Sequence, residues 1–306
     1  MTAGVVELAT SVKTLATTAP AKINLALDIL GRRPDGFHDL RSLVIGVDLC
    51  DELRATVAED AGCSLKCTDP ALSGPDNLAL RAAGLVARRA ASAAGIRLDL
   101  RKRIPVAGGL GGGSSDAAAA LRLVNALLSA GLAKEELARL GAELGSDVPL
   151  FFFLPAAVMT GRGEHVAPVQ LAWSGWALLV CMGLRVSTRE VYQAWRRSDG
   201  VCPGDDPTGA IIGCARADGI NSLQRNELEP AVFRVCPAVG EFSDELNRLG
   251  LGAFRVSGAG SIFYRLYDDR QDAADAARLI EDRSADVRCV VAAAPIDVGK
   301  ISYEEH

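Results

Sequence analysis

The densest chemical signal lies between Ile104 and Leu128. The chain there reads Pro105-Val106-Ala107-Gly108-Gly109-Leu110-Gly111-Gly112-Gly113-Ser114-Ser115-Asp116 and then runs on through alanines, with five glycines in six residues. Glycine reaches positive φ without steric cost and lets successive backbone N–H groups come close to a ligand. Ser114, Ser115 and Asp116 suit the N-cap and first turn of a helix predicted over Ala117–Leu128, so the loop is expected to end on that helix's positive pole. A phosphate chain fits such a site. The spelling excludes the common alternatives. No lysine follows the glycines, as a Walker A loop requires. A dinucleotide fingerprint begun at Gly109 or Gly111 would need glycine where Ser114 and Asp116 stand. His-Arg-Asp and Asp-Phe-Gly, the protein-kinase signatures, do not occur.

Other residues have types and positions suited to phosphoryl transfer onto an alcohol. Asp147 follows a helix predicted over Lys134–Leu144 and precedes the apolar run Val148–Phe153, where partial desolvation favours the protonated carboxylate. It is the candidate general base. Lys22 interrupts the apolar strand Ala21–Leu27, and Asn24 shares its strand face. A structural buried ion pair is the alternative reading of Lys22 and Asp147. Phe37 and His38 sit on a glycine-containing turn, and Phe37 and Tyr192 read either as core aromatics or as stacking surfaces. Asn77 opens a helix, as a cap or as a nucleotide contact. Ser257-Gly258-Ala259-Gly260-Ser261, between two strands, could be an ordinary hairpin turn, and Arg101-Lys102-Arg103 reads as a solvated strand end or a steering patch.

These residues must be held by a substantial fold. The chain has 306 residues, 49% of them hydrophobic and 23% charged, enough for one large or two ordinary domains. A net charge of −5 argues against a global positive field for nucleic acid, so an anionic ligand must be held locally. The histidines are only His38, His165 and His306, which points away from histidine catalysis. The eight cysteines lack paired C-x-x-C spacing, so they and His165 read as structural, the thiols reduced. Glu7 and Lys13 break up the N-terminal stretch against a signal peptide, and the uncharged run 166–184 reads as a buried strand rather than a membrane span; a cytoplasmic protein is expected.

Strands are predicted over Lys22–Leu30 and Leu40–Leu49 around a tight loop, then a helix over Asn77–Ala94, a strand over Ile96–Leu100, and the two helices already placed. From about residue 173 the order strand Trp176–Met182, helix Thr188–Arg196, a Pro-, Gly- and Asp-rich loop at 198–210, helix Glu241–Leu249, strand Ala253–Val256, strand Ile262–Tyr267, helix Gln271–Asp282, strand Val287–Ala293 contains a split βαβ. A domain boundary is expected near residue 172, giving domains 1–172 and 173–306.

The loop Pro105-x-x-x-Gly109-Leu110-Gly111-Gly112-Gly113-Ser114-Ser115-Asp116 closely resembles the phosphate loop of the galactokinase, homoserine kinase, mevalonate kinase and phosphomevalonate kinase superfamily, the GHMP kinases. Its extra glycine and Ser-Ser-Asp are similar to one branch, whose substrate is a cytidine diphosphate-linked methylerythritol. Ala19–Leu25, Pro34–His38, Gly145–Pro149, Asn226–Pro230 and Ser257–Gly260 agree with that branch, in order along the chain. The resemblance implies an ATP- and Mg2+-dependent small-molecule kinase of α+β class, with an N-terminal nucleotide-binding domain, a C-terminal ferredoxin-like domain and the active site in the cleft between them.

It further implies that Asn77 and the Pro105–Asp116 loop hold ATP, with Ser115 on the metal or a phosphate, although no glutamate matches the metal ligand of the mevalonate kinase type. Lys22 would hold Asp147 and the transferring phosphoryl, and Asn24 would lie near the substrate hydroxyls. Phe37, where family members commonly carry Tyr, and Tyr192 would stack on the cytosine, with His38 bonding its edge. The Ser257–Ser261 loop would fold against the phosphate site. No nucleic-acid or membrane partner is expected, and the protein would be a monomer or homodimer. Another kinase of the superfamily, or a non-catalytic nucleotide-binding regulator of the same fold, are the alternatives.

Overall fold

The computed structural model describes residues 13–197, 206–284, 286–297, 299 and 302–304. Readings that fall on Cys202, His306, the segment before residue 13 and the 198–205 part of the predicted loop lie outside the described residues.

Two long antiparallel strands form the spine, β1 (Thr14–Arg32) and β2 (His38–Ala58). They are far longer than the sequence pattern predicts. Bulges between Pro20 and Ala21, Asn24 and Ala26, and Ile29 and Gly31 absorb the breaks in apolar alternation that read as strand ends. Pro20, which has no N–H for the ladder, sits at one of these breaks. There follow β3 (Cys63–Cys67), α1 (Leu78–Arg89), β4 (Gly95–Arg101), α2 (Gly112–Leu127), α3 (Lys134–Leu144), β5 (Ala156–Gly161) and β6 (His165–Pro168). The second half contributes β7 (Gly175–Cys181), α4 (Thr188–Ala194), α5 (Thr208–Gly213), α6 (Ala217–Leu223), β8 (Arg225–Asn226), α7 (Glu229–Val235), α8 (Pro237–Arg248), β9 (Arg255–Val256), β10 (Phe263–Tyr267), α9 (Arg270–Arg283), β11 (Arg288–Ala294) and β12 (Ser302–Glu304).

The first sheet runs β12-β1-β2-β4-β3, with β5 and β6 branching from β2. The second runs β11-β7-β10-β9, antiparallel throughout. In its own chain order that is fourth, first, third, second, the ferredoxin-like arrangement expected from the split βαβ. Two later segments return to the first sheet: β8 lies parallel to β1, and β12 antiparallel to it.

Strand alternation explains how the layers meet. Ala21, Ile23 and Leu25 of β1, with Leu43, Ile45 and Val47 of β2, pack against Ala177, Leu179, Tyr264 and Leu266 of the second sheet. Lys22 and Asn24 therefore lie on the opposite face of β1, under α2. Alanines 117–120 of that helix are all buried, so small side chains set its close seat on β1 and β2. On the far side of the second sheet, Phe242 of α8 meets Phe263 edge-on with ring centroids 5.9 Å apart.

Burial pushes the thiols of Cys50 and Cys289 up to about 12 and that of Cys181 up to about 11, so all three are protonated near neutral pH, as inert structural cysteines are. His165, by contrast, is a surface residue of β6, its side chain 74% exposed beside Glu164. Among the described residues no helix is long and apolar enough to cross a membrane. Leu25→Ala, which empties a fully buried site between the two sheets, should cost about 2–5 kcal/mol of unfolding free energy, read by urea denaturation.

Candidate active site

The glycine loop runs from Pro105 into α2, and its helix starts earlier than the residue types suggest. Gly111 is the N-cap, in the left-handed region at φ +70°, without a side-chain cap bond; Gly112 is the first helical residue. Ser114, Ser115 and Asp116 therefore stand inside the helix rather than at its cap. A left-handed N-cap favours glycine over serine, which explains the shift. The first N–H with a helical partner is that of Ser115, on the Gly111 carbonyl at 2.9 Å. The N–H groups of Gly112, Gly113 and Ser114 are thus the open end of the helix, and Gly113 is exposed there.

The loop is shaped by the other half of the chain. A Cβ on Gly109 (φ +80°) would stand 2.0 Å from the Ser257 carbonyl oxygen, and one on Gly260 would stand 1.9 Å from the Gly108 carbonyl carbon. Ser257 Oγ donates to the Gly109 carbonyl at 3.1 Å, and the Val186 N–H reaches that of Ala107 at 3.5 Å. The Ser257–Ser261 segment is therefore a clamp on the glycine loop rather than a free hairpin turn. Asn226 fastens it in turn, donating to the carbonyls of Val256 and Gly258 at 2.9 and 2.7 Å.

Lys22 lies against this loop, its backbone N–H bonded to the Leu110 carbonyl at 3.0 Å. The side chain is 5% exposed, and its Nζ donates to Asn24 Oδ1 at 2.5 Å. Among the described residues that is its sole hydrogen-bond acceptor, while an ammonium carries three donors. Burial lowers its proton affinity and the charge of Asp147 acts in the opposite sense. Asp147, half-buried in the turn between α3 and the single helical turn Pro149–Phe152, acts on Lys22 through space. Asn24 is fixed from behind: its Nδ2 donates to Ser42 Oγ at 2.8 Å, which donates to the Ala26 carbonyl at 2.7 Å. The Tyr264 hydroxyl donates to the Asn24 carbonyl at 2.6 Å.

Two residues of the predicted phosphate site have other partners. Asp116, 2% exposed, accepts from Lys102 Nζ at 2.6 Å, and Lys102 also bonds Asp51. Asp51 accepts the backbone N–H groups of Arg103 and Ile104. Lys102 is thus buried between two carboxylates rather than solvated at a strand end, and Asp116 serves as the loop helix's anchor. Asn77 caps α1, its Oδ1 accepting from the Ala79 N–H and its Nδ2 donating to the Leu72 carbonyl, both at 2.8 Å. Ser115 Oγ is buried without a partner, an unused ligand atom in the helix's first turns.

The aromatic residues divide. His38 stands 5.4 Å from Tyr192 and 5.5 Å from Trp195, centroid to centroid, whereas Phe37 is 51% exposed under the guanidinium of Arg162 at 4.7 Å. Trp195 escaped the sequence reading, though it stands one helical turn beyond Tyr192. Burial, with the Arg32 charge, holds His38 below its usual range, so the ring is neutral at pH 7 and offers one donor and one acceptor. Burial first, then Asp147, pushes the Tyr192 phenol up, so it stays protonated.

A glycine cradle that any Cβ would fill, open helix N–H groups and an unpartnered Ser115 hydroxyl fit a polyphosphate. Among the described residues no three His, Cys, Asp or Glu side chains cluster as a metal cage, so a divalent ion would depend on phosphate oxygens and Ser115. The profile for "GHMP kinases N terminal domain" matches residues 77–154, and that for "GHMP kinases C terminal" matches 214–283. A protein of Geobacter sp. (strain M21) named 4-diphosphocytidyl-2-C-methyl-D-erythritol kinase is 39% identical over 270 residues, 88% of this chain and 95% of its own. The chain belongs to the GHMP kinase family. A second relative of the same name, from Bacillus cereus (strain B4264), is 38% identical over 82% of this chain and 88% of its own. A crystal structure of 4-(cytidine 5'-diphospho)-2C-methyl-D-erythritol kinase superposes with a TM-score of 0.75 at 35% identity, covering 93% of this chain and 99% of that one. The GHMP kinase fold and the resemblance read from the motifs both hold.

Burial outweighs the pull of Lys102 on Asp116 and, with Asp51 nearby, lifts its carboxyl from 3.8 to about 7. The native protein therefore keeps a proton that the unfolded chain releases between those values, and this group's contribution to stability falls as pH rises through that window. Thermal melts of wild type and Asp116→Asn across it should show the difference moving in the variant's favour with rising pH.

Proposed function

We propose that the protein transfers the γ-phosphoryl group of ATP to the 2-hydroxyl of 4-diphosphocytidyl-2-C-methyl-D-erythritol, a step of the non-mevalonate route to isoprenoid precursors. The observation that carries the reading is the placement of Lys22, with unspent ammonium donors, between the glycine cradle and Asp147. The names of the relatives support the acceptor, and the neutral His38 beside Tyr192 and Trp195 suits a pyrimidine edge.

In this mechanism the N–H groups of Gly112, Gly113 and Ser114 hold the phosphate chain, and the helix dipole takes up part of its charge. Asp147 accepts the proton of the substrate hydroxyl as that oxygen bonds to the γ phosphorus and the bond to the bridging oxygen of ADP breaks. Lys22, held by Asn24, orients Asp147 and neutralises charge on the transferring group. Magnesium, held by phosphate oxygens and Ser115, would supply further neutralisation. Asn24 aligns the acceptor's hydroxyls, and Phe37 with Tyr192 provides ring surface for the base.

Purified protein with ATP, magnesium and the cytidylyl alcohol should yield a product heavier by one phosphate; no mass gain would sink the assignment. CMP or CDP should also raise the melting temperature, which a homoserine- or mevalonate-type kinase gives no reason to expect. Asp147→Asn and Lys22→Ala should each lower turnover by about 10²-fold or more while ATP still binds in calorimetry. Near wild-type turnover in either variant removes that residue from the mechanism.

A further inference from the structure

The proposed acceptor carries its base at one end and its reacting hydroxyl at the other, joined by a diphosphate. The open N–H groups of α2 and the Lys22 ammonium are engaged at the ATP phosphates and the reacting centre. The bridge between base and alcohol therefore needs a counter-charge of its own, located between the His38 cluster and Asp147.

Most cations near the first sheet's hairpin are already committed. Arg33 pairs with Asp35 at 3.1 Å and Asp39 at 2.8 Å, Arg41 with Asp206 at 3.0 Å, and Arg225 with Asp28. Arg32 acts on His38, at the base end. Arg162 differs. It occupies the β5–β6 turn between Gly161 (φ +71°) and Gly163 (φ +114°). A Cβ on Gly163 would meet Met159 at 2.9 Å and Asp147 Oδ1 at 3.4 Å, so the turn's backbone lies against the proposed base. The guanidinium extends from there to the Phe37 ring, 4.7 Å from its centroid. Its ionic neighbours are Glu164, 3.7 Å from Nε and beyond hydrogen-bond reach, and Asp35, on which its charge acts through space; among the described residues the guanidinium donates no hydrogen bond. A planar five-donor fork is thus held with its root beside Asp147 and its head on the aromatic platform.

We infer that Arg162 binds the diphosphate bridge of the cytidylyl alcohol, spanning the reacting end and the base end of the site. Guanidinium matches paired phosphate oxygens with two parallel bonds, which its loose contact with an exposed ring does not oppose. Withdrawal from Phe37 also bares that ring for the base, so charge neutralisation and stacking favour each other. The inference rests on the proposed function.

The test is calorimetric titration of cytidine, CMP and CDP into wild type, Arg162→Gln and Arg162→Lys, with melts to verify folding. In wild type, affinity should rise with each added phosphate. Arg162→Gln should weaken CDP binding about tenfold or more beyond its effect on cytidine, and Arg162→Lys should recover part of that loss. The KM for the cytidylyl alcohol should rise in Arg162→Gln while the KM for ATP stays put. A smaller selective loss, or an equal loss for cytidine and CDP, overturns the inference and leaves the proposed function standing. Wild-type protein that binds none of the three overturns both.

Discussion

The approach of two backbones, Gly108–Gly109 and Ser257–Gly260, is the constraint on which the site depends. The space between them admits no side chain at Gly109 or Gly260, and the bond from Ser257 Oγ to the Gly109 carbonyl joins positions 148 residues apart. The glycine cradle is therefore not a local property of its own sequence. Its shape requires the second sheet to be in place, with Asn226 bracing the clamp from the strand pair β8 and β1. Loops normally move more than the elements they join, and here mutual backbone contact supplies the rigidity that a preorganised site needs.

Lys22 shows the cost and the purpose of that arrangement together. A buried ammonium with a single hydrogen bond is unfavourable, because burial penalises the charged form and leaves donors unmet. The bulge between Asn24 and Ala26 turns this to use. Beside it the Ser42 hydroxyl donates to the Ala26 carbonyl and accepts from Asn24 Nδ2, which fixes Asn24 so that its oxygen faces Lys22. The remaining donors are aimed where the substrate and Asp147 are proposed to act. Unmet polar capacity at a rigid position is what a site for anionic reactants requires before they arrive.

Which parts were legible in the sequence follows from how local each signal is. The glycine loop, the presence of a helix after it, the bounds of α3, and Lys22 with Asn24 on one strand face are consequences of adjacent residues, and they read correctly. The ferredoxin-like sheet was legible because its elements follow one another with regular periodicity. The start of α2 was misplaced because serine and aspartate are good caps, whereas the true cap at Gly111 is dictated by a left-handed backbone. Lys102 was misread because its partners, Asp51 and Asp116, are brought to it by strand pairing and helix packing. The contact of Arg162 with Phe37 likewise joins two turns that only the β2–β5 pairing brings together.

The pairing of Lys102 bears on how an acidic protein presents the proposed site for anionic ligands. Beside the glycine loop stand three cations in succession, yet Arg101 and Arg103 pair with Glu52, and Lys102 is shared by Asp51 and Asp116. A Cβ on Gly112 would lie 3.3 Å from Lys102 Nζ, so this ammonium sits beneath the positive end of α2, where an uncompensated cation would oppose the helix dipole. Asp51, with Asp116 as the second hydrogen-bond partner of Lys102, offsets that conflict. The proposed attraction for phosphate then rests on backbone N–H groups, which carry only partial charge, need no counter-ion when no ligand is bound and cannot swing away. In the proposed site, positive side chains enter at Lys22 and Arg162, on the side where the transferring phosphoryl and the acceptor are proposed to meet.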